Sequence, residues 1–316
     1  MRLLRHLKAV ERSQVSEARR IGLQFATQLG FDETLSGAVA VVITELANNL
    51  VTHAKAGELL LGTHGSNLEV LALDRGPGMN VDACLRDGFS TAGTAGTGLG
   101  AIRRLAHHFE AYSTPAGTIV SVGFGPGDKN LGVARAPKHG ETACGDSWSV
   151  VRRNDETWVL VADGLGHGEF AAAAAEQAIV TFEASRLDTV ANVVGNIHLA
   201  LRPTRGAAIA VARAGATSIE YCGLGNISGV IYSGGSSINM VSMSGTAGLE
   251  ARKINPFTYK YNPGATLIMH SDGLQTHWGL DRYPGIVRYH PSVIAGALFR
   301  DYTRGRDDVT VLVLRT

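Results

Sequence analysis

Four apolar stretches that each carry an aspartate at one end constrain this chain more than any other feature of its sequence. The clearest is Val159-Leu-Val-Ala-Asp-Gly-Leu-Gly-His-Gly168, where an apolar strand delivers Asp163 to its end and glycines let the backbone turn beside it. Such a turn can cradle a phosphate on backbone N–H groups or hold a cation on its carboxylate. A phosphate cradle calls for Lys and a hydroxyl, so the aspartate favours the cation. Three further places repeat the arrangement: Asp146 just before a strand, Asp272 after Thr266-Leu-Ile-Met-His-Ser271, and Asp307-Asp308 before Val309-Thr-Val-Leu-Val-Leu314. A single Asp at a strand end is ordinary turn chemistry. Four of them, at the rim where the loops of a sheet meet, predict a metal cluster. Two hard cations roughly 4 Å apart can share a carboxylate and activate a water toward a phosphate monoester. None of the cysteines has a basic neighbour that would make it a nucleophile, so no covalent phosphoenzyme is expected. His167 reads either as a leaving-group acid or as a cap of the turn, with the cap favoured.

At 316 residues the chain is long for one domain. The passages Gly125-Pro-Gly-Asp-Lys-Asn130 and Ala134-Arg-Ala-Pro-Lys-His-Gly140 mark a boundary near residue 127. The expected division is a domain at 1–127, a linker at 128–137 and a domain at 138–316. Apolar spacing predicts helices over 14–30, 33–54 and 99–109 and strands over 58–63, 68–74 and 117–124 in the first part. In the second, a hairpin turning at Asn154-Asp155 precedes helices over 169–185 and 189–202. Strands follow over 207–213, 217–224, 227–232, 238–243, 265–271 and 309–315, with a helix over 291–300. The pattern is that of a two-domain α/β chain with helices packed outside sheets. A net charge of +1, from 29 basic and 28 acidic residues with no block of like sign, excludes a nucleic-acid or membrane surface. The three cysteines, Cys84, Cys144 and Cys222, are widely spaced and argue for a reducing, cytoplasmic setting. No apolar run reaches membrane-spanning length, and residues 1–8 lack the apolar core of a signal peptide.

The first part carries its own constellation. Glu45 and Asn49, four residues apart, share one face of a helix that is otherwise apolar at Ile43, Leu46, Ala47, Leu50 and Val51, so the pair needs partners. Asp74, followed by Gly76-Pro-Gly78, is a carboxylate suited to an exocyclic amine beside glycines that admit a flat ring. Thr94-Ala-Gly-Thr-Gly-Leu-Gly100 leads into a helix whose N–H groups favour phosphate oxygens.

Glu45-Leu-Ala-Asn-Asn49, Asp74-Arg-Gly-Pro-Gly78 and Gly96-Thr-Gly-Leu-Gly100 resemble the nucleotide-binding boxes of the GHKL ATPase superfamily over roughly residues 10–125. Asp87-Gly-Phe-Ser-Thr91 and Gly98-Leu-Gly-Ala-Ile-Arg-Arg-Leu105 are most similar to the RsbT-type serine protein kinases. The resemblance implies an ATP-binding GHKL α/β sandwich, with Glu45 as the base or water-orienting group and Asn49 as the Mg2+ ligand. It places Asp74, Gly76 and Gly78 at adenine, and Thr97, Gly98, Leu99 and Gly100 at the phosphates, under a lid at 79–100.

Cys144-Gly-Asp146, the 163–168 turn, Ser271-Asp-Gly273 and Asp307-Asp-Val-Thr310 resemble the metal-dependent PPM-type Ser/Thr phosphatases of the SpoIIE and RsbX branch over residues 138–316. That implies an αββα sandwich and two Mn2+ or Mg2+ ions held by Asp146, Asp163, the Gly164 carbonyl, Asp272 and Asp307, with Asp163 and Asp272 central to catalysis. Many relatives carry Asn where Asp308 stands, which leaves open which of the two acids binds metal. No Arg stands out as a phosphate clamp. Together the two resemblances imply a writer and an eraser of phosphate on a STAS-domain antagonist or stressosome-like protein, in a stress or sigma-factor switch. The alternative is an ATP-loaded, non-catalytic domain that sequesters a partner beside a working phosphatase; Glu45 speaks against it, since a pure binder has no need of the base.

Overall fold

The computed structural model describes residues 4–54, 56–86, 98–251 and 253–316. Their packing divides into two units, Met1–Lys129 with Gly285–Arg300, and Asn130–Pro284 with Asp301–Thr316. Residues 87–97, which include Thr97 and half of the expected lid, lie outside the described residues.

The first unit runs β1 (Leu4–Ala9), α1 (Arg12–Gln28), α2 (Glu33–Thr52), β2 (Gly57–His64), β3 (Asn67–Asp74), α3 (Val81–Cys84), α4 (Gly98–Leu105), β4 (His108–Thr114) and β5 (Gly117–Phe124). Its strands form one antiparallel sheet in the order β1-β2-β3-β5-β4. Strand alternation turns Leu68, Val70 and Ala72 of β3 toward Val39, Val42, Ile43 and Leu46 of α2, and these form one core. Each long helix begins where a side chain satisfies its first N–H groups. The Gln14 Oε1 accepts from Glu11 N at 3.0 Å ahead of α1, and Asp32 Oδ1 accepts from Leu35 N at 2.7 Å ahead of α2. Gly30, at φ +71°, ends α1.

Three sequence expectations need correction in this unit. The helix expected to reach residue 109 stops at Leu105, because His107 N donates to Gly123 O at 3.0 Å and the chain pairs with β5 as β4. Strand β1 was not expected at all. Helix α2 does have the length and apolarity to cross a bilayer, with mean hydropathy 1.4 over its most apolar window. Its buried face instead packs against α1 and the sheet, and Thr44, Glu45, Asn48 and Asn49 interrupt the apolar surface.

The second unit runs β6 (Leu131–Ala136), β7 (Asp146–Arg153), β8 (Glu156–Gly164), α5 (Glu169–Ala184), α6 (Val190–Ala200), β9 (Ala207–Ala214), β10 (Ser218–Leu224), β11 (Ser228–Ser233), β12 (Ser236–Met240), β13 (Ser242–Met243), β14 (Phe257–Lys260), β15 (Thr266–His270) and, last, β16 (Val309–Arg315). One sheet has the order β13-β10-β9-β8-β7 with β14 also on β10, and the other the order β12-β11-β15-β16-β6. Residues 131–136, expected as linker, are a paired strand: Leu131, Ala134 and Ala136 are buried, and β6 runs antiparallel to β16. Strand β8 shows how the layers arise. Val159 and Val161 join Leu267, Met269 and Leu312 between the two sheets, whereas Trp158, Leu160 and Ala162 face α5 and α6 through Phe182, Val193 and Ile197. Asp163 continues the Val159–Val161 face beyond the end of that core.

The β7–β8 hairpin sets the position of two acids at once. Asn154 and Asp155 both take positive φ, +51° and +60°, the conformation of a tight two-residue hairpin turn. That turn pairs Arg153 with Glu156, and counting back along both strands it pairs Asp146 with Asp163. A slip of one residue would send one of the two to the opposite face.

The helix expected over 291–300 is α7 (Pro291–Tyr302), and up to Arg300 it belongs to the first unit rather than to the second domain in which the sequence placed it. Val293, Ile294, Ala295, Ala297, Leu298 and Phe299 are all buried, so the helix needs cover on nearly every side. The face of β3 and β5 turned away from α2 supplies part of it: a Cβ on Gly296 would stand 3.0 Å from Leu73 and 3.2 Å from Ile119.

On the same face Ser292 donates a hydrogen bond to Glu69, and burial of the carboxyl end pushes Glu69 up to about 7 despite that bond. A carboxyl held above its unfolded value of about 4.3 binds its proton more tightly in the native state. Its contribution is therefore full at pH 4 and is lost as pH rises toward 7 and beyond. The whole shift corresponds to roughly 3 kcal/mol, and the partial exposure of the residue reduces it. Glu69→Gln is thus expected to raise the thermal midpoint at pH 8 and to change it little at pH 5, as followed by thermal unfolding at both pH values. Equal effects at the two would remove Glu69 as the cause.

Candidate functional sites

In the first unit, Glu45 and Asn49 lie one turn apart on α2 and face the start of α4. A Cβ on Gly98 would stand 2.9 Å from Glu45 Oε2 and 4.0 Å from Asn49 Oδ1. A side chain there would have to displace the flexible end of Glu45. Asp74, at the end of β3, is held by two donors to one oxygen: Gly76 N at 2.7 Å and Thr118 N at 3.1 Å, both to Oδ1. Among the described residues nothing donates to Oδ2. Gly76 brings the turn against the end of α2, with its Cβ position 3.1 Å from Ala54 Cα. Gly78 takes φ +75°, and a Cβ there would collide with Thr114 O. Leu99 and Gly100 are buried in α4. The arrangement offers a fixed carboxylate at one strand end, and a second carboxylate with an amide at a helix start.

In the second unit the expected acids gather. Asp146 and Asp163 are cross-strand partners. Ser271 joins the third strand end to them, donating from Oγ to Asp146 Oδ2 at 2.6 Å and accepting from Thr310 N at 2.9 Å. Asp272 follows, with Asn226 Nδ2 donating to its Oδ2 at 2.7 Å. Asp307 is exposed and Asp308 buried. Asp308 Oδ1 accepts from Lys138 N at 2.9 Å, and Oδ2 stands 2.7 Å from the Cβ position of Gly145. Asp308 thus ties down the loop that leads into Asp146, while its Oδ2 is buried without a partner and Asp307 Oδ1 accepts from Asp308 N at 3.0 Å.

The glycines of these turns serve packing. A Cβ on Gly164 would collide with Ala171 O, and one on Gly273 with Asp308 O. The Asp272 turn can touch the Asp307–Asp308 turn only because Gly273 lacks a side chain, and the Asp163 turn can pack on α5 only because Gly164 does. His167, read as a cap, has Nδ1 2.7 Å from Glu141 Oε1.

Burial, then the charges of Asp146, Asp272, Asp307 and Asp308, push the Asp163 carboxyl well above the usual range. Asp146 is pushed up by burial, against the Ser271 hydrogen bond, with Asp308 adding to the rise. Asp272 is raised by burial and by Asp307, with Arg304 opposing. Asp146 Oδ1 is buried without a hydrogen-bond partner. Among the described residues no three His, Cys, Asp or Glu side chains are drawn in to the spacing of a closed metal cage. Even so, buried carboxylate oxygens that repel one another and lack a donor fit a divalent cation. Ser271, Asn226, Glu141 and Arg304 were not singled out from the sequence. Of these only Ser271 carried a signal, its place directly before Asp272-Gly273.

Residues 9–124 match the family described as histidine kinase-like ATPase domain, and residues 153–316 match Stage II sporulation protein E (SpoIIE). Over 142 residues the chain is 30% identical to the phosphoserine phosphatase RsbX of Bacillus subtilis (strain 168), covering 43% of this chain and 70% of that protein. Over 101 residues it is 33% identical to the serine/threonine-protein kinase RsbT of the same organism, covering 30% of this chain and 76% of that one. The solved structure of RsbX in complex with magnesium superposes with a TM-score of 0.51 at 25% identity, covering 60% of this chain and 98% of that one.

Proposed function

Because the chain belongs to the SpoIIE family through its second half and carries a histidine kinase-like ATPase domain ahead of it, we propose that it phosphorylates and dephosphorylates a STAS-domain partner in the cytoplasm. It joins an RsbT-like kinase-type domain to an RsbX-like PP2C-type phosphatase of partner-switching signalling. The observation that carries the reading is the cross-strand pairing of Asp146 with Asp163, joined to the Asp272 turn through the Ser271–Asp146 hydrogen bond, with Asp146 Oδ1 buried and without a donor.

In the phosphatase half, Asp146, Asp163, Asp272, Asp307 and the Gly164 carbonyl would hold two Mn2+ or Mg2+ ions. Bound there, the cations supply a nucleophilic water at neutral pH and neutralise phosphate charge. Ser271 fixes the orientation of Asp146, Asn226 that of Asp272, and Asp308 the loop before Asp146. In the kinase half, Asp74 would read the adenine amine, Glu45 would act as base for the attacking hydroxyl, and Asn49 would hold Mg2+. Gly98, Leu99 and Gly100 present backbone N–H groups to the phosphates. Tethering the two activities keeps both at high effective concentration near one partner.

The test uses the full chain with γ-labelled ATP and a purified STAS protein. Label is expected on a Ser or Thr of the STAS protein with Mg2+, and is released as free phosphate when Mn2+ is supplied. No release from the phosphorylated STAS protein at any Mn2+ or Mg2+ concentration would sink the reading.

A further inference from the structure

The lip of the carboxylate cluster carries a surface that hydrolysis alone does not need. Phe170 is 69% exposed and Leu165 52% exposed, although both lie close to Asp163 in the chain and their backbone is pinned to the metal turns. Leu165 N donates to Gly206 O at 3.0 Å, and Ala171, next to Phe170, packs against Gly145 and Gly164. Arg205 lies over the Phe170 ring, its guanidinium carbon 4.7 Å from the ring centroid. Its Nη1 reaches within 3.5 Å of the Cβ position of Gly166. Leu249, 58% exposed, stands 3.2 Å from the Cβ position of Gly206. Among the described residues no carboxylate pairs with Arg205.

Three large apolar side chains and an unpaired guanidinium, contiguous and solvent-facing, have the composition of a recognition surface, in which aromatic and Arg anchors dominate. Stacking on Phe170 holds the guanidinium plane while its edge stays free to donate to an anion. Stacked on Phe170 and close to Gly166, three residues beyond Asp163, Arg205 is placed to address what lies beside the phosphate.

We propose that Leu165, Phe170, Arg205 and Leu249 form a docking edge of the phosphatase site, which takes a phosphoserine- or phosphothreonine-bearing protein segment with one apolar and one acidic residue flanking the phosphorylated position. The apolar flank covers Phe170 and the two leucines, and the acidic flank pairs with Arg205. This rests on the phosphatase reading above and specifies its substrate.

The test compares two phosphoserine peptides, alike except that one carries Leu and Asp beside the phosphoserine and the other Gly and Ser, with p-nitrophenyl phosphate measured alongside. Mn2+-dependent phosphate release gives kcat and KM for wild type, Phe170→Ala, Arg205→Ala and Arg205→Lys. Wild type is expected to prefer the Leu/Asp peptide by about tenfold in kcat/KM, mostly through KM. In Phe170→Ala and Arg205→Ala the preference falls to about twofold or less, and Arg205→Lys, which lacks the planar fork, lies between. Hydrolysis of p-nitrophenyl phosphate with no peptide preference in wild type, or a preference intact in both alanine variants, overturns the docking edge alone. Hydrolysis of none of the three substrates overturns the phosphatase reading and this inference with it.

Discussion

Asp163→Ala is expected to lower Mn2+-dependent phosphate release by about a thousandfold or more, the largest effect of any single change in the second unit. Asp163 is the carboxyl on which the charges of Asp146, Asp272, Asp307 and Asp308 all register, so its loss leaves the remaining acids without the ligand they share. The same change relieves burial and repulsion of a carboxyl that gains nothing from them without a cation. The unfolding temperature measured without metal should therefore hold or rise, which separates lost chemistry from lost fold. Asp272→Asn keeps an acceptor for Asn226 Nδ2 and removes one charge, so it too should abolish release at low Mn2+. Asp307→Asn should raise the Mn2+ concentration needed more than Asp308→Asn does, because Asp307 is exposed at the rim whereas Asp308 is buried and holds the loop before Asp146 through Lys138 N. Phosphate release titrated with Mn2+ across these variants decides the matter, and full activity in both Asp163→Ala and Asp272→Asn would remove the cluster from the chemistry.

What the sequence disclosed follows the range of the forces involved. Asp146 and Asp163 were legible because their pairing is local: two residues at positive φ, Asn154 and Asp155, set the register. Glu45 and Asn49 were legible for the same reason, one helical turn apart on α2. Strand β6 was not, since it pairs with β16 more than 170 residues away and carries Gly132 and Arg135 in place of a clean alternation. The apolar surface of α7 predicted a buried helix but not what buries it, and its seat on β3 and β5 is a long-range choice. The glycines beside Asp163 were read as letting the backbone turn; Gly164, with Gly145 and Gly273, also makes room for Asp308 and Ala171. The Phe170–Arg205 pair carried no periodic signal, since Phe170 opens α5 and Arg205 lies in the loop before β9.

Glu45→Ala is expected to cut transfer of the γ-phosphoryl group from ATP to the STAS protein by a factor on the order of a hundred or more, the usual worth of a positioned general base. The geometry favours loss of rate over loss of binding. Glu45 Oε2 and Asn49 Oδ1 both face Gly98, whereas the carboxylate assigned to adenine, Asp74, is fixed separately by Gly76 N and Thr118 N. Nucleotide affinity, followed with a fluorescent ATP analogue, should accordingly change little in Glu45→Ala and fall in Asp74→Asn, which replaces an acceptor-only group facing the amine with an amide. Asp163→Ala leaves transfer intact and, by removing the eraser, raises the final level of label on the partner. Wild-type chain that binds the analogue yet moves no label, with Asp163→Ala equally silent, would mean that the first unit holds ATP only to hold a partner. In that case Gly98 serves the Glu45 carboxylate as a structural neighbour alone, and Gly98→Ala would weaken nucleotide binding as much as it weakens anything else.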